Sequence, residues 1–388
     1  MIINSNSGLS DIFMGKCSNT GSFLWVKGYG SVDNERPSGM TLDFTGNIYL
    51  TGVFNSVSLS FGSTSLGNAG SYDIFICKFD SGGNTVWAKS IGNSQDDFSF
   101  EIACDASGNA IITGEFSSPT LLINPFTLIN NGISDIFCVK YSGQGIVDWA
   151  KNFGNEEVEG GYDVAVNPAG RINITGAYQS SFITFDTKTM MNSGGFDVFT
   201  ACLNPSGTTR WAATAGGSDD NDGGNSIAVD AADNAVITGF FKSPVISFGS
   251  NILYNEGSSD IFIAKYSPTG KILWANSAAG IYEDNATGIA ADGEGNTVIT
   301  GYFFSNKIYM GGFDLTLTGN GYPDIFIAKY DSLGNVTWVS QGKGSNYDKS
   351  NCIAVSASGS IYIAGMFWSP TLTFDAISVN RTGTGYND

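Results

Sequence analysis

Short apolar runs alternate with glycine-bearing polar turns along the whole chain. Residues 73–116 show one cycle: DIFICKF is apolar, DSGGN polar, TVWAKSIG apolar, NSQDDFS acidic, FEIACD apolar, ASGN polar and AIITGEF apolar again. Runs this short, rich in β-branched and aromatic residues and bounded by Gly, Asn, Asp and Ser, read as strands joined by tight turns. No capped apolar stripe recurs at helical spacing, so an all-β chain is expected.

The cycle repeats in register. Asp-Ile-Phe or Asp-Val-Phe begins at Asp11, Asp73, Asp135, Asp197, Asp260 and Asp324, at intervals of 62, 62, 62, 63 and 64 residues. A tryptophan follows fourteen residues later each time: Trp25, Trp87, Trp149, Trp211, Trp274 and Trp338. Gly52, Gly114, Gly176, Gly239, Gly301 and Gly365 come next, each with an aromatic two residues on. A unit of about 62 residues holding four strands is close to one propeller blade plus a long connection. A solenoid of stacked turns is the alternative. The repeat units lie near 11–72, 73–134, 135–196, 197–259, 260–323 and 324–387.

The DIFIAKYDSLGNVTW segment, the IAVD-type runs before tight turns and the ITGxF strand ends resemble the bacterial β-propeller repeat called SBBP. The resemblance covers nearly the whole chain. It implies a propeller, a setting in extracellular proteins of bacteria such as Bacteroidetes, and no single enzymatic activity. It also implies the strand order: IAVD-type runs as inner strand A, ITGxF as B, the DIF run as C and the Trp run as outer strand D. Contiguous A–D blades then fall near 38–90, 100–152, 162–214, 225–277 and 287–341. A C–D pair remains at 11–28 and an A–B pair at 352–367. The expected architecture is one domain over residues 1–388, a propeller of six four-stranded blades whose terminal strands close one blade. Residues 2–11 and 377–388 read as the same connecting segment in duplicate, which points to an excerpt of a longer array or one dangling end.

Composition narrows the chemistry. The chain has no histidine, which removes His-based acid–base catalysis and His-ligated metals. Thirty-six acidic residues against 18 basic ones give a formal charge of −18 and argue against nucleic acid as partner. No run of apolar residues is long enough to span a membrane, and MIINSNSGLSDIF does not read as a secretory signal. The six cysteines form no CxxC and are expected as thiols within apolar strands. Asp43, Asp105, Asp230 and Asp292 open turns in which Asn167 and Ser356 replace Asp elsewhere, which suits turn formers better than metal ligands.

The candidate site sits on the loops. Each D–A loop carries acid: Asp33, Asp96 with Asp97, Glu157, Asp219 with Asp220, Glu283 with Asp284, and Asp348. In a propeller these emerge on one face and draw cations. Asp219, Asp220 and Asp222 form the densest group and are the Ca²⁺ candidate; otherwise no cofactor is expected. After the repeated aromatic the next residue varies: Asn55, Ser117, Gln179, Lys242, Phe304 and Trp368. Phe304 and Trp368 fall in neighbouring units, beside Tyr282 and Tyr347 of the D–A loops. That patch suits a protein or a glycan ring. The expected function is a non-enzymatic binding or scaffold module, extracellular or at the cell surface. The alternatives are a metal-dependent enzyme with an acidic channel mouth and an architectural spacer.

Overall fold

A computed structural model describes residues 8–218, 220–319 and 321–381. The strands A to D of each unit pair in sequence order as antiparallel neighbours, giving five four-stranded sheets over residues 35–91, 97–153, 159–215, 222–278 and 284–343. These spans fall within a few residues of those read from the sequence. The tight turns explain the agreement. In the first sheet Asp43 Oδ1 accepts from the backbone N–H groups of Thr45 (3.0 Å) and Asn47 (2.9 Å), and its Oδ2 accepts from Asn47 Nδ2 (2.7 Å). Gly46 takes the positive φ, 81°, that this turn requires.

The blade count differs from the expected six. Ile12–Cys17 and Phe23–Tyr29 form a two-stranded sheet, and Asp348–Val355 and Ile361–Phe367 form another. Among the described residues the two pairs are not strand neighbours, so these residues form five blades and two half-blades, not six blades. The sequence landmarks count repeat units, and six repeats started at strand C contain only five contiguous A–D runs. Closure needs a long-range pairing that local periodicity does not encode. Each B–C connection, read as a loop, is itself a hairpin of four-residue strands, such as Ser58–Phe61 with Thr64–Gly67. The last of these, Thr371–Phe374 with Ile377–Asn380, joins the fifth sheet through Gly342↔Phe374.

The described chain divides into two compact units, residues 1–172 with 203–208, and 173–202 with 209–388; the boundary runs through the third sheet. In the first unit, Tyr49 of one sheet donates its hydroxyl to Gly108 O of the next (2.7 Å), and the Trp87 ring stacks on Tyr141 at 6.0 Å. In the second, Trp274 stacks on Tyr330 with planes 12° apart and donates Nε1–H to Ser332 O (3.2 Å). Gly334, at φ 89°, lies under that indole, where a Cβ would come within 2.8 Å of the ring. Trp25, Trp87, Trp149, Trp211 and Trp274 thus each pack on the C–D turn of the next unit, against Gly83, Gly145, Gly207, Gly270 and Gly334 in turn.

A buried ion pair accompanies this packing. Lys140 Nζ lies 2.9 Å from Asp105 Oδ2, Lys265 Nζ 2.6 Å from Asp230 Oδ2 and Lys329 Nζ 3.0 Å from Asp292 Oδ2. Lys78 and Asp43 are looser at 3.7 Å. Each pair joins a strand C to an A–B turn. In the third sheet both charges are gone together: Asn167 holds the turn position and Cys202 the lysine position. A buried charge without its partner is costly, so the two positions change as a unit. All six cysteines are thiols; Cys17 and Cys352, which lie on the half-blades, are exposed and the rest are wholly or partly buried.

Candidate functional site

The aromatic residues singled out from the sequence meet in the second unit. Phe304 lies 6.1 Å from Tyr347, and Tyr347 lies 5.4 Å from Trp368, between ring centroids. Tyr302 extends the chain of rings at 6.0 Å from Phe304. The successive interplanar angles are 85°, 63° and 43°, so the rings form a folded wall rather than a flat platform. A cleft of about 390 Å³ opens beside them, lined by Ser258, Tyr282, Glu283, Phe304, Asn306 and Gly321. Burial raises the hydroxyl pKa of Tyr302 and of Tyr347, and the Glu283 carboxylate adds to both shifts. Glu283 is exposed, and Tyr282 is 49% exposed.

The loops that carry these rings are pinned from beneath by the acids that begin strand A. Asp284 Oδ1 accepts from the N–H groups of Phe304 and Ser305 (both 3.1 Å), and its Oδ2 accepts from Ser305 Oγ (2.7 Å). Asp348 treats Trp368 and Ser369 the same way, at 3.0, 3.1 and 2.6 Å. Asp97 holds Ser118 through its N–H (3.2 Å) and Oγ (2.8 Å). All three acids are fully buried, so they position the loops and do not present charge to a ligand. Burial pushes Asp284 up to about 7, despite its hydrogen bonds from Ser305. A repeated serine, at Ser56, Ser118, Ser180, Ser243, Ser305 and Ser369, is the sequence signal for this arrangement and was missed.

The other candidate acids separate from this cleft. Asp33 is partly exposed and Glu157 exposed, both on loops of the first unit. In the proposed cation loop, Asp219 lies outside the described residues and Asp220 is exposed. Asp222 is buried, and its Oδ1 accepts from the N–H groups of Lys242 (2.9 Å) and Ser243 (3.1 Å). Among the described residues no three acidic or cysteine side chains are arranged to hold a metal ion.

Three acids that break the repeat went unnoticed in the sequence. Glu101 stands on an inner strand where the equivalent position of the first sheet is Gly39, and a Cβ there would lie 2.5 Å from Glu101 Oε1. Burial, with the charge of Asp163, lifts Glu101 to about 8. Glu115 is lifted by burial to about 7.

No family model matches the chain. It is 24% identical over 443 residues to an uncharacterized WD repeat-containing protein of Acanthamoeba polyphaga mimivirus. That match takes in 95% of this chain but only 32% of the relative's length. Among solved structures, the WD40 domain of Neurospora crassa Pan2 is similar at 10% identity and TM-score 0.35, over 85% of this chain and 89% of that one. The apocarotenoid oxygenase of Synechocystis is similar at 8% identity and TM-score 0.36, over 84% and 66%. Likenesses this distant carry no argument about activity in either direction. The propeller-type blade rests on the repeat and the observed strand order.

Proposed function

We propose that this chain is a non-enzymatic binding scaffold whose aromatic cleft takes a cationic side chain, lysine or arginine, of a protein partner. The observation that carries this reading is the Glu283 carboxylate set beside Tyr282 and Phe304 and against the inclined rings of Tyr302 and Tyr347. Ring faces attract cations, and a neighbouring carboxylate adds charge pairing. Rings set at steep angles enclose a compact cation better than they stack a flat sugar face. The similarity to a WD repeat-containing protein supports a scaffold role, and the excess of acid favours basic partners.

Titration with a short arginine-containing peptide tests this, at about 0.15 M salt, where the Debye length is about 8 Å and diffuse attraction is screened. Calorimetry should show binding that Glu283→Gln and Phe304→Ala each weaken about tenfold, a loss of about 1.4 kcal/mol. A neutral oligosaccharide should give no heat. Equal affinity in wild type and both variants would sink the proposal, and saccharide binding lost in Phe304→Ala would replace it with a glycan site.

The reading needs no metal ion. Millimolar Ca²⁺ is expected to leave the melting temperature unchanged, because Asp222 is already engaged by backbone N–H groups. A rise of several degrees that a chelator reverses would assign an ion to the 216–222 loop, since a ligand of the native state alone stabilises it by mass action.

A further inference from the structure

The repeat is broken around the aromatic cleft. In four repeats an asparagine clamps the connection that leads into strand C. Asn68, Asn130, Asn192 and Asn255 donate Nδ2–H to the carbonyls of Phe54 (2.9 Å), Phe116 (3.2 Å), Tyr178 (3.1 Å) and Phe241 (3.0 Å). Leu317 holds that position in the fifth repeat and has no amide to give. The run from there to strand C is also longer, seven positions from Leu317 to Asp324 against five from Asn255 to Asp260. Gly321 of that run, at φ 83°, lines the cleft. A second departure frees an acid. Asn34, Asp96 and Asn221 are tied to the preceding repeat, accepting from Ser10 Oγ (2.9 Å), Tyr72 N–H (3.2 Å) and Phe196 N–H (3.3 Å). At the equivalent Glu283 the corresponding N–H, that of Ser259, goes to Tyr282 O instead (3.3 Å). Among the described residues no group donates to the Glu283 carboxylate. The third departure is Asn306, where the other repeats have Val57, Pro119, Ser181, Pro244 and Pro370. Its side-chain amide lines the cleft and makes no hydrogen bond with the described residues.

We infer that this cleft selects arginine over lysine and that Asn306 makes the choice; the inference rests on the cation-binding reading above and narrows it. Glu283 and Asn306 offer acceptor oxygens from two different residues of one cleft of about 390 Å³, with the Phe304 ring beside them and the Ser258 hydroxyl as a third acceptor. A lysine ammonium is a compact, strongly hydrated charge that one carboxylate and water satisfy. A guanidinium spreads five donors in a rigid planar fork, so it can donate to Glu283 and to Asn306 Oδ1 together while its plane lies on a ring. It is also the more weakly hydrated of the two cations and gives up water to a ring at lower cost. Asn306 is neutral, so it adds little to the attraction of charge as such. What it adds is a second acceptor that only the fork uses in full.

Calorimetric titration of the intact chain with two peptides that differ only in one arginine or lysine tests this, at about 0.15 M salt. Wild type should bind the arginine peptide about tenfold more tightly, the worth of one hydrogen bond to a charged group. Asn306→Val copies the first repeat, where Val57 O accepts from Asn68 N–H (3.1 Å) just as Asn306 O accepts from Leu317 N–H (3.0 Å), so the backbone contact is kept. This variant should lose about tenfold for arginine and about twofold at most for lysine, bringing the two peptides together. Asn306→Asp keeps an acceptor oxygen and should keep the preference. Equal affinity of wild type for both peptides, with Glu283→Gln weakening both, would overturn the inference and leave the cation-binding reading standing. A preference that survives Asn306→Val would overturn the role of Asn306. Failure of both peptides to bind would overturn the cation-binding reading, and this inference with it.

Discussion

Removing Lys265 alone is expected to cost about 3–5 kcal/mol, because it strands a carboxylate in the interior. The Lys265 and Asp230 side chains are 2% and 1% exposed, their charged atoms are 2.6 Å apart, and Lys265 also donates to Gly295 O (3.2 Å). Lys265→Cys leaves Asp230 facing apolar surroundings with only its turn hydrogen bonds, from Ala232, Asn234 and the Asn234 side chain. The third sheet shows a neutral solution, with Asn167 and Cys202 at these positions. The double variant Asp230→Asn with Lys265→Cys copies it and should recover all but about 1–2 kcal/mol, since replacing a whole buried pair is far cheaper than breaking it. Urea unfolding of wild type, both single variants and the double variant measures the coupling. A double variant that loses the sum of the two single losses would show that the charges act independently.

Stability should also rise as the solution is made mildly acidic. Burial raises Asp73, Asp135, Asp197, Asp222 and Asp260 to about 6 and Asp284 to about 7. Neighbouring buried acids contribute, as Asp97 does to Asp73 and Asp260 to Asp284. Between about pH 4 and pH 6–7 the folded chain therefore holds more protons than the unfolded one, whose carboxylates titrate near about 4. Unfolding releases protons in that window, so raising the pH promotes it and lowering the pH opposes it. The stabilisation is fully present below the unfolded pKa and is lost as pH climbs through the folded values. Burial is outweighed at Asp105 and Asp230 by hydrogen bonds from Lys140 and Lys265 together with those of their turns, and at Asp43 and Asp292 chiefly by hydrogen bonds from their turns, so all four are held below the usual range and their contribution is lost only in stronger acid. A net gain of about 2–3 kcal/mol corresponds, for a chain of this length, to a melting temperature about 2–4 °C higher at pH 5 than at pH 7.5. A flat or falling melting temperature over that interval would contradict the burial of these carboxylates.

The strands were legible because each A–B and C–D turn carries its own chemistry, as Asp43, Gly46 and Asn47 show. The four-residue hairpins in the B–C connections were not: ITFDTKTM alternates correctly, but its strands are too short to stand apart from a loop. Tyr282, Phe304, Tyr347 and Trp368 were found as a group because the repeat fixes equivalent positions in neighbouring units. Which acid of a loop is buried was not legible. Glu283 and Asp284 are adjacent and chemically alike, and only the serine partner, Ser305, distinguishes them. Blade closure was beyond reach for a different reason: it depends on long-range strand pairing, which is not a property of any local pattern.

The cleft is the functional core of the account, and a crystal structure of the chain with the arginine-containing peptide bound tests it most directly. The account predicts the guanidinium within about 6 Å of the Phe304 or Tyr347 ring centroid, with a hydrogen bond to the Glu283 carboxylate. Peptide bound only at other acidic loops, such as those of Asp33 or Glu157, with the Tyr282–Phe304 cleft empty, would contradict it.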